Sequence, residues 1–372
     1  MTSIIYVGMD VHTTNYTLCC YSMEDDRFFA EVQVEPDAKN ILKYLARIEK
    51  QQSRDCRIVC GYEAGCLGYS LYHQLHAHGI DCVILAPTTM MTKPGKRIKT
   101  DRRDARLISK CLAFHTYSPV YIPTEVDNAV KEYIRMRDDA NSVLARVKQQ
   151  IIAFCIRHGK IHDGKSYWTN KHLEWLSSLD LGNKILSEVL QEYLIRYYQL
   201  REQVDMYDMR INELAQAEPY RQKVEKLGCF RGIAAHTALS FCVEVGDFRR
   251  FATAQQFASY LGLVPGECSS GDKQQYTGIT KAGNSHLRKL LVETAQVFGR
   301  SATKSGKSVA LKERQAKCDS LTVAYADKAN ARLKKKYFKI AMRSKVNIAK
   351  TAVAREMACF IWGMMTDNIS CA

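Results

Sequence analysis

Proline is scarce, 7 in 372 residues, and no low-complexity tract exceeds the short Lys334–Lys336 run, so an extended disordered chain is excluded. No CxxC pair occurs among the 14 cysteines, which removes a zinc ribbon and leaves no disulfide framework. Cys19, Cys20, Cys60, Cys82, Cys111, Cys155, Cys242 and Cys359 instead sit in apolar runs and read as small buried thiols of a reducing cytosol. No stretch approaches the ~18 apolar residues of a membrane span, and MTSIIYVGMDVH has no basic segment leading into a long apolar one. The expectation is a cytoplasmic protein with no membrane partner. No internal repeat is evident. Acid is in short supply, 39 Asp and Glu against 54 Lys and Arg, and the resulting +15 calls for a polyanionic partner, with nucleic acid ahead of an anionic lipid surface.

At roughly 100–200 residues per domain the chain should form two or three units. Ile4–Val11, Tyr16–Met23 and Phe28–Val34 are rich in β-branched and aromatic residues and read as a strand meander; helices over Asp37–Gln51 and Tyr69–His78 alternate with strands at Arg57–Gly61 and Asp81–Ala86. This βββαβαβ order, with a helix starting near Asp101, is that of an RNase H-like α/β domain over residues 1–123. Residues 124–218 read as helical, with an irregular insertion near 158–182. Leu186, Leu190, Tyr193, Tyr197, Leu200, Val204, Tyr207, Ile211 and Leu214 fill nine successive seam positions of a coiled coil suited to oligomerisation, the alternative being a helix packed within its own domain. Residues 219–372 form a third, mainly helical region. Between Arg300 and Lys350 fifteen Lys or Arg face three Asp or Glu, so most of the net charge lies there.

Four carboxylates stand out. Asp10 lies near the end of the first strand, Glu63 just after the fourth, and Asp101 and Asp104 share one face of a helix in KTDRRDAR. In an RNase H-like fold these positions converge at one sheet edge, where hard oxygen ligands suit one or two Mg²⁺ ions and phosphoryl transfer. The bland alternatives are an Asp104 paired with Arg103 or Lys99 and an Asp10 with a structural partner. Gly8-x-Asp10 alone would also suit the phosphate strand of an actin-like kinase, but no second phosphate strand accompanies it. GKIHDGKS at Gly159–Ser166 spells a Walker string without the strand that must precede one. A second constellation is Cys268-Ser269-Ser270-Gly271 with Lys281, Asn284 and Arg288 downstream: a loop hydroxyl able to act as nucleophile, with cations able to hold a phosphate. In isolation Ser-Ser-Gly is more often a plain turn.

Taken together, GMDVH at Gly8–His12, GYEAG at Gly61–Gly65, KTDRRDA at Lys99–Ala105, and YLGLVPGECSSG with GITKAGNSHLRKLLVE between Tyr260 and Glu293 resemble one family. It is that of the DEDD transposases of IS110 insertion sequences, including the IS1111-type branch, described as bridge-RNA-guided recombinases. The resemblance runs from about residue 4 to about 295.

The resemblance implies a RuvC-like N-terminal domain, a coiled-coil middle and a C-terminal transposase domain with a serine nucleophile. The family's four acids fall on Asp10, Glu63, Asp101 and Asp104, as catalytic residues and Mg²⁺ ligands, and its serine on Ser270, with Ser269 the adjacent alternative. Lys99, Arg102, Arg103, Lys281, Asn284 and Arg288 become candidates for nucleic-acid contact. Further implied are donor and target double-stranded DNA, a structured noncoding guide RNA, a homo-dimer or homo-tetramer with sites composed from two protomers, and a phosphoserine intermediate, in a bacterial cytoplasm at the nucleoid. The rival readings are a RuvC-like metal-dependent junction nuclease using water, and a non-catalytic nucleic-acid-binding protein.

Overall fold

The computed structural model describes residues 3–51, 56–65, 67–91, 100–267, 275–300 and 306–369. The chain divides into two units, Met1–Ile122 and Pro123–Ala372.

In the first unit β1 (Ser3–Val11), β2 (Tyr16–Ser22) and β3 (Arg27–Val34) precede α1 (Ala38–Gln51), β4 (Cys56–Glu63), α2 (Ser70–Ala77), β5 (Asp81–Leu85) and α3 (Asp101–Ala113). One five-stranded sheet has the order β3-β2-β1-β4-β5, with β2 antiparallel to β1 and to β3, and β4 parallel to β1 and to β5. Alternation along β1 distributes the core. Ile5, Val7 and Met9 pack under α1 and α2 with Ile41, Leu45, Leu71 and Leu75, while Tyr6 faces α3 with Ile108, Cys111 and Leu112. Gly8 and Gly61 are paired across β1 and β4 on this α3 face. A Cβ on Gly8 would come within 2.0 Å of the Ala105 carbonyl oxygen, and one on Gly61 within 2.8 Å of the Leu112 side chain. The missing side chains are what let α3 lie against the sheet.

The second unit begins with two helices of 33 residues each, α4 (Glu125–Arg157) and α6 (Lys184–Gln216), each about 50 Å long. They form an antiparallel hairpin: Phe154 meets Tyr193 near the tip, and Tyr133 meets Tyr207 near the foot, where Arg137 also bonds Asp208. The heptad seam of α6 is therefore filled from within the chain. Leu190, Tyr197 and Val204 are buried with Leu144, Val147 and Ile151 of α4, the arrangement of a helix packed within its own domain. The segment expected to be irregular contains α5 (Asn170–Ser177), capped by Thr169, whose Leu173 and Leu176 close the hairpin tip. The Walker-like string lies in the turn before α5, between helices, with no strand ahead of it.

At the hairpin's foot Val130, Ile134, Ile211 and Ala215 enter the core of the remaining helices. These are α7 (Arg221–Gly228), α8 (Ala235–Val245), α9 (Ala254–Tyr260), then β6 (Pro265–Glu267) and β7 (Tyr276–Ile279), then α10 (Ser285–Arg300), α11 (Val309–Gln315), α12 (Ser320–Ala341) and α13 (Val346–Met365). Phe230, Phe241, Phe257, Phe298, Leu333 and Met357 are among its fully buried members. Among the described residues no helix is long and apolar enough to cross a membrane.

Candidate active site

Parallel pairing of β1 with β4 sets Met9 beside Tyr62, so Asp10 and Glu63 follow at the same level on neighbouring strand ends. Both lie two residues beyond a glycine that admits α3, and so on the α3 face. The helix arrives there by its N-terminus: Thr100 caps it by accepting from the Arg103 amide, and Asp101 and Asp104 occupy its first turn, where the helix dipole favours negative charge. Asp10, Asp101 and His12 present ligand atoms all within 4.8 Å of one another.

The Asp10 Oδ2 atom is buried and makes no hydrogen bond, with His12 Nε2 3.3 Å away. Burial raises the Asp10 carboxyl above its ordinary value; His12 opposes the shift, and Asp104 and Asp101 add to it. Asp10, Asp101 and Asp104 converge here, an oxygen donor set suited to a hard divalent ion. Glu63 is exposed and outside the tight group, which gathers ligand atoms sufficient for one ion. His12 was not among the residues singled out from sequence; it stands two residues after Asp10, beyond the last hydrogen-bonded step of β1. Arg102 and Arg106 both pair with Glu31 of β3, at 3.3 and 2.7 Å, although Arg102 stays largely exposed. Lys99 lies outside the described residues.

Ser269, Ser270 and Gly271 also lie outside the described residues, but both ends of their loop are described. β6 and β7 pair antiparallel, with Pro265 opposite Ile279. Below them the two halves of the motif lock together: the Lys281 amide donates to Gly262, and the Asn284 amide to Tyr260. Side chains at Gly262 or Gly283 would strike backbone at 2.1 and 2.0 Å, and both residues take positive φ. Arg288 donates to the carbonyls of Leu261 and Ala282, and Asn284 caps α10 by accepting from the Leu287 amide. Arg288 and Asn284 thus have structural work at the loop's base, whereas Lys281 is exposed with positive φ.

Beneath this base runs a charged network that sequence reading did not assemble. Asp138 of α4 bonds Nε2 of His236 at 2.9 Å, Nε2 of His286 at 2.8 Å and Arg137 at 3.1 Å. Glu244 of α8 accepts from Arg135 and from Asn284, each at 2.9 Å, with His286 Nδ1 3.3 Å away. Burial alone would raise both acids. The hydrogen bonds from His236, His286 and Arg137 outweigh it and hold Asp138 well below the usual carboxylate range, and those around Glu244 bring it to about 2. Burial likewise disfavours a charged His286, but its two carboxylate partners raise it to about 9.

The basic C-terminal segment is partly neutralised. Lys307 pairs with Asp327 at 2.5 Å, and Arg332 and Lys336 converge on Glu356. Lys335, Lys339, Arg343 and Lys345 remain exposed.

An acidic cluster on an α/β sheet edge, joined to a helical region with a motif-locked loop, is the make-up of a DNA-recombining enzyme. A family model described as Transposase IS116/IS110/IS902 family matches residues 225–314, and the DEDD model of IS110 elements, described as Transposase, matches residues 7–156. The chain is 32% identical to the transposase for insertion sequence element IS1533 of Leptospira borgpetersenii, over 90% of this chain and 95% of that protein. It is 36% identical to a putative transposase, y4qE, of Sinorhizobium fredii over 82% of this chain and 75% of the relative, and 26% identical to the transposase for IS1111A of Coxiella burnetii over 68% and 71%. The chain belongs to the IS110 family of insertion-sequence transposases.

Proposed function

We propose that this transposase cuts and exchanges DNA strands through a covalent phosphoserine intermediate formed by Ser270, assisted by Mg²⁺ at the acidic cluster and directed by a bridge RNA. The observation that carries the reading is the buried, hydrogen-bond-free Asp10 oxygen facing Asp101 and His12, on a sheet whose order and mixed polarity fit an RNase H-like domain.

Asp10 and Asp101 would hold the ion, Asp104 would add negative charge from the same first turn of α3, and Glu63 would close the site from β4. An ion bound there supplies charge that polarises a phosphate oxygen. His12 keeps Asp10 oriented. The Ser270 oxygen attacks the scissile phosphorus, the bond from phosphorus to the 3′ oxygen breaks, and that oxygen takes up a proton. Strand exchange reverses the step on the partner duplex. Each phosphodiester survives as an ester, so no external energy source is required. The acids of one protomer and the serine of another supply the composite site of a dimer or tetramer. Lys281, with Lys99, Arg102 and Arg103, grips backbone phosphates, while base pairing to the guide RNA reads sequence.

The test is strand cutting of element-end DNA by the full chain with its flanking noncoding RNA. Asp10→Ala and Asp104→Ala should abolish breaks in Mg²⁺ yet leave DNA binding within about twofold of wild type, as surface charge dominates affinity. Breaks that persist in both variants contradict the reading.

A further inference from the structure

We propose that a cleft between α4, α8 and α10 holds a single unstacked nucleotide of a DNA or RNA strand. The inference rests on the reading that this chain handles nucleic-acid strands, and it assigns a site to residues that the phosphoryl-transfer chemistry leaves unused.

The cleft encloses about 410 Å³. This falls within the ~300–1,000 Å³ span of small-molecule sites, more than a lone oxyanion fills and too confined for a duplex. Lys289, Glu293, Gln296 and Arg300 recur at steps of four, three and four along α10 and form one wall; Asn141 of α4 and Thr237 of α8 face them. Lys289 and Arg300 have no ion-pair partner among the described residues. The two uncommitted cations outnumber the one carboxylate of this wall, Glu293, and leave the concave surface net positive, which calls for an anion. Nearby Asp138 does not repel one, because His236, His286 and Arg137 already bond it.

The remaining chemistry is that of a base. Asn141, Gln296 and Thr237 make no side-chain hydrogen bond among the described residues. Side-chain amides offer a donor and an acceptor side by side, the pattern that matches a base edge. Cations at one part of a cleft and amides at another suit a phosphate with its base swung out of the stack, and such extrusion is cheapest where the nucleotide is already unpaired.

The experiment measures dissociation constants of the full chain for a short duplex with one unpaired central nucleotide and for its fully paired counterpart, in a DNA arm and an RNA arm. Wild type should prefer the unpaired probe by about fivefold or more, the worth of one or two net hydrogen bonds. The double substitution Asn141→Ala with Gln296→Ala should erase the preference and leave paired-duplex affinity unchanged, which also reports that the variant is folded. Lys289→Ala with Arg300→Ala should weaken the unpaired probe more than the paired one. Preference in either arm or both supports the proposal and identifies the strand involved. Equal affinities in both arms overturn it, and so does a preference that survives both double substitutions. Cutting is not read here, so failure of the phosphoryl-transfer reading would leave this outcome standing.

Discussion

Gly8 lies beneath Ala105 so closely that a single methyl group on Gly8 would come within 2.0 Å of the Ala105 carbonyl oxygen. The contact joins the strand that carries Asp10 near its end to the helix that begins with Asp101, and so sets the spacing of the acidic cluster. Gly8→Ala should force α3 away from the sheet at a cost of about 1–3 kcal/mol, the usual penalty of overpacking. Denaturant unfolding would measure the loss, and the Mg²⁺-induced rise in melting temperature should shrink with it. An unchanged midpoint would mean that α3 is not held by this contact.

Asp10 is placed for charge rather than for stability. Its buried oxygen lacks a hydrogen bond, and neighbouring carboxylates oppose its ionisation. Asp10→Asn should therefore stabilise the metal-free fold slightly, by less than about 1 kcal/mol because solvent still screens the group. Mg²⁺ should raise the melting temperature of wild type but not of the variant, since only a ligand bound to the native state stabilises it.

The network around His286 predicts a pH response of opposite sense to acid unfolding. A histidine raised from 6.5 to about 9 contributes stability that is complete below pH 6.5 and is lost as pH climbs to about 9. Glu244, lowered from 4.5 to about 2, contributes stability above pH 4.5 that is lost as pH falls towards 2. His286→Gln should cost about 1–2 kcal/mol near neutrality once solvent screening is allowed for, and should flatten the alkaline limb. Unfolding free energies across this range are the check; an alkaline limb of wild-type slope in the variant would place the effect elsewhere.

Because the α6 seam packs on α4, its truncation should damage the hairpin without altering assembly. Leu190→Ala should cost about 2–5 kcal/mol, as buried leucines do. Sedimentation should report the wild-type oligomer; dissociation to a smaller species would mean that the seam also joins protomers.

How far the chain could be read from its sequence follows from how far apart the interacting residues lie. Strands β1 to β5 were legible because β-branched alternation is local, and Asp10, Glu63, Asp101 and Asp104 could be placed because strand order carries them to one edge. The α6 heptads revealed a seam but not its occupant, since periodicity is the same whether the partner helix belongs to this chain or another. The α5 helix escaped notice because eight residues give too little periodicity amid histidine and aromatic side chains. Asp138 meets His236 and His286 across 98 and 148 residues, and no local pattern announces such a meeting. Gly8 read as part of a motif; its physical reason, the approach of α3, is visible only in three dimensions.

The most direct test is whether protein becomes covalently joined to DNA. Wild type, incubated with its RNA, Mg²⁺ and element-junction DNA and then denatured, should retain a protein–DNA adduct whose proteolysis assigns the link to Ser270; Ser270→Ala should yield none, and Ser269→Ala should still form it. Cut DNA without any adduct, or an adduct undiminished in Ser270→Ala, would contradict the account.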